Sequence, residues 1–223
     1  MSNERRLILG ALSFVAWLGT ANFALAADSG RFTTICNCVF TNAPCEGEFR
    51  WTVKTETNQP PKTGIKTTTP TTMAHWPDLT PDPASKTYKS DAPRSKTKER
   101  TWYEVTGRVA LIRAEPDGDL HIQLQNAKGN NGSVNVVVEV PAGQPWCDAR
   151  GKALTLTNEQ PPFNAPNVLR LKTNAVIRVV GRPFYDGTHA VRGHQPNRRR
   201  DGGVDRNVTI WEIHPVMTLD IVN

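Results

Sequence analysis

The chain has 223 residues, with 27 Lys+Arg against 21 Asp+Glu, and only 38% of it is hydrophobic. That length suits one compact domain with appendages, while 17 Pro and 16 Gly exclude a membrane bundle, a coiled coil or a large helical core. What remains is a small β-rich core with long polar excursions.

At the N-terminus, Arg5 and Arg6 precede an apolar run from Leu7 to about Ala26 that closes on Ala24-Leu25-Ala26. This pattern predicts a secretory signal peptide over residues 1–26. A membrane anchor is the alternative for a run of this length, and Asn22 with the small-residue exit favours cleavage. No cysteine stands at the cleavage point, so lipid modification is not expected. The predicted product is periplasmic or secreted, in the bacterial style of the signal, with no membrane span in the mature chain. It keeps 25 basic and 20 acidic groups once Glu4, Arg5 and Arg6 are removed.

Residues 27–50 form a Cys-rich segment. Cys36, Cys38, Cys45 and Cys147 are even in number and bound for an oxidising compartment, which predicts two disulfides. One residue separates Cys36 from Cys38, so each is expected to pair elsewhere, one with Cys45 and the other with Cys147, stapling this segment to the main domain. A four-thiolate zinc site is the competing reading, but the C-x-x-C knuckles it usually uses are absent.

Residues 51–100 hold 12 Thr, 7 Pro and 9 Lys+Arg, and Pro60-Pro61, Thr67-Thr68-Thr69-Pro70 and Pro81-Asp82-Pro83 break any period. No helix or long strand is expected. The segment reads as an arm or linker, and Trp51, Trp76 and Tyr88 favour an arm partly docked on the domain.

From residue 101 the texture becomes short alternating runs, the sign of half-buried strands. The first covers 104–113, with Val105, Val109 and Leu111 on one side and Gly107 as a bulge or bend. After the turn Glu115-Pro116-Asp117-Gly118, the second covers 119–125, with Leu120, Ile122 and Leu124 inward and Asp119, His121 and Gln123 opposite. The third covers 133–140, with its even-numbered valines on one face. A connection follows, with a short helix possible over 147–154, then a strand over 175–181. A polar loop spans 182–207, and a last strand, 208–222, is broken at Pro215. The predicted fold is all-β, a five-stranded OB-like Greek-key barrel over 101–223 with an extended N-terminal arm. A β-sandwich is the alternative that strand spacing cannot separate from it.

Four blocks carry a resemblance: Glu115 to Ile122 (EPDGDLHI), Val138 to Pro141 (VEVP), Gly181 to His189 (GRPFYDGTH) and Trp211 to Val216 (WEIHPV). Together with Trp51 to Thr55, they resemble a group of small secreted bacterial proteins. The resemblance implies an OB-like barrel and brings no catalytic residue with it. The Asp117-Gly118-Asp119 turn and Glu139 two before Pro141 also look similar to thermonuclease-type OB-folds. There, gathered carboxylates would hold calcium and position water on a phosphodiester. Ala142 stands where that chemistry needs an acid, and Val134-Asn135 supply no arginine. Asp117, Asp119, Glu139 and His121 are thus catalytic candidates in a degenerate setting, set against a reading as turn and strand residues.

His121, His189, Glu212 and His214 are metal-ligand candidates if the barrel brings their strands together. Equally, His214 before Pro215 reads as a buried histidine bonded to a carboxylate or carbonyl. Arg182, Arg192, Arg198, Arg199, Arg200 and Arg206 make the 182–206 loop a candidate for an anionic polymer, with Lys86, Lys89, Arg94, Lys96, Lys98 and Arg100 in support. The alternative there is a solvated loop. Weighed together, these features predict a non-catalytic binding module for nucleic acid, another polyanion or a cell-envelope component, with no cofactor. A metal-dependent phosphodiesterase and a structural envelope protein are the alternatives. Nothing in the sequence speaks to oligomeric state.

Overall fold

The computed structural model describes residue 36 and residues 49–77, 92–95, 98–128, 135–161, 167–186 and 207–222. Its frame is a closed barrel of five strands: β2 (Tyr103–Ala114), β3 (Leu120–Asn126), β4 (Asn135–Val140), β6 (Val176–Tyr185) and β7 (Asn207–Ile221). The order around the wall is β2-β3-β4-β7-β6, and β6 pairs back onto β2. Only the β4–β7 contact between barrel strands is parallel. This is the Greek-key closure of an OB-like barrel, and the pairing of β2 with both β3 and β6 excludes two separate sheets. Two three-residue strands, β1 (Lys66–Thr68) and β5 (Asn167–Leu169), add to β2 outside the ring.

Alternation fills the interior. Leu120, Ile122 and Leu124 of β3 meet Val136, Val138 and Val140 of β4, and all six are fully buried. In β2 the expected alternation holds only as far as Val109. A register shift between Val109 and Leu111 inserts an extra residue, so Ile112 and Ala114 join the main core cluster while Leu111, though buried, pairs with Gln123 outside that cluster. The bend predicted at Gly107 is therefore a bulge two to four residues later. Gly107 itself lies where β2 changes partners, and a Cβ there would stand 2.7 Å from the Gln125 carbonyl oxygen.

Two boundaries differ from the sequence reading. Strand β6 continues through Tyr185, because Phe184 and Tyr185 pair with Glu212 and Trp211 of β7 and are fully buried. The first residues of the expected loop, 182–185, are therefore strand, and residues 187–206 lie outside the described residues. Strand β7 runs unbroken through Pro215, which sits where its register with β6 shifts between Gly181 and Pro183. A proline has no amide to donate, and an irregularity in the ladder is where it is tolerated. The short helix after β4 is present as α3 (Cys147–Thr155).

The arm carries short helices where none was expected: α1 (Trp51–Lys54) and α2 (Pro70–Ala74), with a 3-10 turn at Lys98–Arg100. Thr69 caps α2 by accepting the Thr72 amide at 3.1 Å, and Pro70 occupies the first helical position, where its missing N–H is not needed. Met73 and Trp76 then reach the barrel core, so this part of the arm is docked. A disulfide joins Cys36 to Cys147 at the start of α3, 111 positions apart, resolving one of the two expected bridges. Cys38, Cys45 and Tyr88 lie outside the described residues. No helix among the described residues is long and apolar enough to cross a membrane.

Candidate functional site

Strand alternation places His121 and Gln123 on the face of β3 opposite its core residues, and the register sets His121 directly beside Glu139 of β4. In β7, Glu212 and His214 flank the inward Ile213, which pairs with Val138. Asp119, at the entry to β3, shares the parity of His121. The outer faces of three adjacent strands thus bring Asp119, His121, Glu139, Glu212 and His214 together. An outer face is normally wet, yet none of these residues exceeds 7% exposure.

His121 Nδ1 donates to Glu139 Oε1 at 2.9 Å, and the Glu115 carboxylate, held by Arg113 at 2.6 Å, stands 3.8 Å away. The second Glu139 oxygen lies 2.8 Å from His214 Nδ1, while His214 Nε2 lies 3.2 Å from Asp119 Oδ2. Glu212 Oε2 is 3.8 Å from His214 Nδ1. These close contacts lack the direction of hydrogen bonds: both ring nitrogens of His214, both oxygens of Asp119 and Glu212 Oε2 are buried with no hydrogen bond. One ligand atom each from Asp119, Glu139 and His214 lies within 4.8 Å of the others.

Electrostatics follow from this crowding. Burial opposes the His214 imidazolium, but Asp119, Glu139 and Glu212 outweigh burial and push its pKa well up. Burial acts to raise the Glu139 carboxyl, and His121 with His214 overcomes it, holding Glu139 well below the usual carboxylate range. Glu212 is pushed up by burial and by the charges of Glu139 and Asp186. Asp117 is pushed up to about 6 by burial and by Asp119 and Glu139.

Three groups that the sequence reading did not single out complete the site. Arg150 of α3, fully buried and with its pKa lowered by burial to about 10, donates to the carbonyls of Gly118 and Val140 at 2.9 and 3.0 Å. It braces the Asp117-Gly118-Asp119 turn. Asp186, buried at the end of β6, adds negative charge. Lys54, from α1, is the third: burial works against its ammonium, but the charges of Glu139, Asp186, Glu212 and Asp119 hold its pKa above the ordinary value. Asp186 falls within one of the four quoted blocks and Lys54 within the Trp51 to Thr55 stretch quoted with them, whereas no local pattern marks Arg150.

Among the metal candidates, His121, Glu212 and His214 do converge, joined by the catalytic candidates Asp119 and Glu139. Within this group His121 bonds the Glu139 carboxylate. His189 lies outside the described residues, as do Arg192, Arg198, Arg199, Arg200 and Arg206. Arg182 is committed to the fold: it donates to Glu56 at 3.1 Å and its guanidinium stacks 4.7 Å from the Trp102 ring centre. Arg94 is buried, bonding Glu56 and the carbonyls of Val53, Pro183 and His214. Lys98 lies 4.1 Å from the Trp76 ring centre.

All four blocks that carried the family resemblance supply residues to this cluster. No protein-family model, curated protein or solved structure matches the chain.

Proposed function

We propose that this chain is a secreted or periplasmic OB-like barrel that binds a divalent transition-metal cation through Asp119, Glu139 and His214, with Glu212 as a fourth donor. The observation that carries the reading is the approach of one ligand atom each from Asp119, Glu139 and His214 to within 4.8 Å of one another, with both oxygens of Asp119 and both ring nitrogens of His214 buried and without hydrogen bonds. The 3.2 Å between His214 Nε2 and Asp119 Oδ2 suits two ligands sharing one ion at about 2.0–2.2 Å each. Two or three carboxylates with one imidazole favour zinc or manganese over calcium, which takes oxygen ligands. Four side chains that close around an ion, under a covered face, describe a holding site; a polymer has no access to Asp119 at 0% exposure. This supports the non-catalytic reading over the phosphodiesterase.

Titration calorimetry of EDTA-stripped, oxidised protein tests the proposal. One equivalent of zinc or manganese should bind, with far weaker heat from calcium, and Asp119→Asn should abolish binding. Absence of saturable heat and of any thermal shift with zinc or manganese would reduce the cluster to an ion-pair network. Polyanion binding through Arg198, Arg199 and Arg200 stays a separate proposal, read by salt-sensitive anisotropy of labelled single-stranded DNA and its loss on replacing those three residues.

A further inference from the structure

One side chain holds the backbone beside two of the metal donors. Arg150 of α3 is fully buried, and its Nη1 donates to the carbonyl of Gly118 at 2.9 Å and to that of Val140 at 3.0 Å. Gly118 immediately precedes Asp119, and Val140 immediately follows Glu139. A single nitrogen thus joins the chain segments that carry two of the three closest donors.

The strand ladder leaves this link to be made. Leu120 pairs with Val140 and His121 with Glu139, so Glu139 lies inside the β3–β4 pairing while Asp119 lies one residue beyond its last pair. The bonds of the turn run back toward β2: the Asp119 carbonyl accepts the Glu115 amide at 2.9 Å, and the Asp119 amide donates to Asp117 Oδ1 at 3.2 Å. Arg150 ties this turn across to the end of β4. Its helix is a firm support, for Cys147 at its start is bridged to Cys36, Ala149, Ala153 and Leu154 pack into the core, and Lys152 pairs with Asp220 of β7 at 3.3 Å.

Resting on the metal reading above, we infer that Arg150 is a positioning residue for the metal, fixing the separation of Asp119 from Glu139 and so setting zinc affinity and coordination geometry. Zinc takes nitrogen and oxygen donors at about 2.0–2.2 Å, and a site tolerates errors of about 0.2 Å in each. An untied turn would let Asp119 drift beyond that tolerance, because donors keep their spacing only when what supports them does. The planar guanidinium holds two carbonyls at a set distance, which an ammonium on a flexible stem does not.

Arg150→Lys tests this, with near-ultraviolet circular dichroism to check its fold, by zinc competition against a chromophoric chelator and by the visible spectrum of cobalt-saturated protein. Zinc affinity should fall by about 10–100-fold, and the cobalt bands should change in position or intensity as the donor geometry changes. In arginine-labelled wild type, zinc should shift the Arg150 side-chain NMR signals and leave those of the exposed Arg170 in place, a readout that does not depend on any variant folding. Folded Arg150→Lys with wild-type zinc affinity overturns this inference alone. Weaker affinity with an unaltered cobalt spectrum does the same, since it reduces Arg150 to a brace of the fold, as do unshifted Arg150 signals in zinc-loaded wild type. Absence of zinc binding by wild type overturns the metal reading and this inference with it.

Discussion

Glu99→Gln isolates the clamp between arm and barrel. The Glu99 carboxylate is fully buried and accepts from Arg50 Nη1 and Nη2 at 2.7 and 2.9 Å, from the Ser95 amide at 2.6 Å and from the Tyr185 amide at 2.9 Å. Gln keeps the shape but turns an acceptor into a donor facing donors, and leaves the guanidinium charge without its carboxylate. Removing one partner of a buried pair costs about 3–5 kcal/mol. Arg50 keeps its carbonyl contacts with Ala92 and Pro93, which places the cost near the lower end, about 3 kcal/mol. For a chain of this size that lowers Tm by about 6–12 °C.

The same substitution has a signature in pH. Burial alone would raise the Glu99 pKa, but Arg50, with the two amides, holds it below the ordinary value, and Arg94 lies within electrostatic reach. A carboxyl depressed in the folded state stabilises fully above its unfolded pKa of about 4.3, and that stability is lost as pH falls through the folded value. Thermal unfolding followed by circular dichroism between pH 3 and 7 should therefore show a steeper acid limb in wild type than in Glu99→Gln. Arg50→Met with Glu99→Met removes both charges and should recover much of the loss at neutral pH. A Tm for Glu99→Gln within about 2 °C of wild type at pH 7, or identical acid limbs, would refute the reasoning.

Gly181→Ala places a Cβ against the Ile213 Cγ2 methyl and against the Pro215 carbonyl oxygen, which as backbone cannot swing aside, and should cost about 1–3 kcal/mol or more in urea unfolding. A change below about 0.5 kcal/mol would show that β6 and β7 part there without penalty. Cys147→Ser opens a bridge across 111 positions and should cost about 2–4 kcal/mol, matched by wild type under reductant; equal stability with and without reductant would count against the staple. His121→Phe removes the donor to Glu139 Oε1 and should weaken zinc binding by about 10–100-fold, with recovery in His121→Asn if its amide reaches the same oxygen. Full affinity in His121→Phe would mean that Glu139 is positioned without it.

The barrel was legible in the sequence because strand alternation is local. Leu120, Ile122 and Leu124 announce an inward face from their own spacing, and Pro and Gly punctuation separates the strands. The bulge between Val109 and Leu111 escapes that logic, since one extra residue reverses the alternation and leaves no compositional mark. So does the passage of β7 through Pro215, which depends on where β6 shifts its register. The candidate site divides in the same way. Parity alone places Asp119 and His121 on one face of β3, and Glu212 and His214 on one face of β7, which is why they could be singled out as candidates.

The arm docked beside them begins at Trp51, 68 positions upstream of Asp119. Arg94 ties that arm to Pro183 and His214 across 89 and 120 positions, and Arg50 reaches Glu99 across 49. Contacts made to distant carbonyls and carboxylates impose no period and need no particular neighbours in the chain. Residue types and strand faces are therefore determined by sequence alone. The gathering of Asp119, His121, Glu139, Glu212 and His214 is decided only when the strands close into the barrel, with the arm tied to the strand of His214.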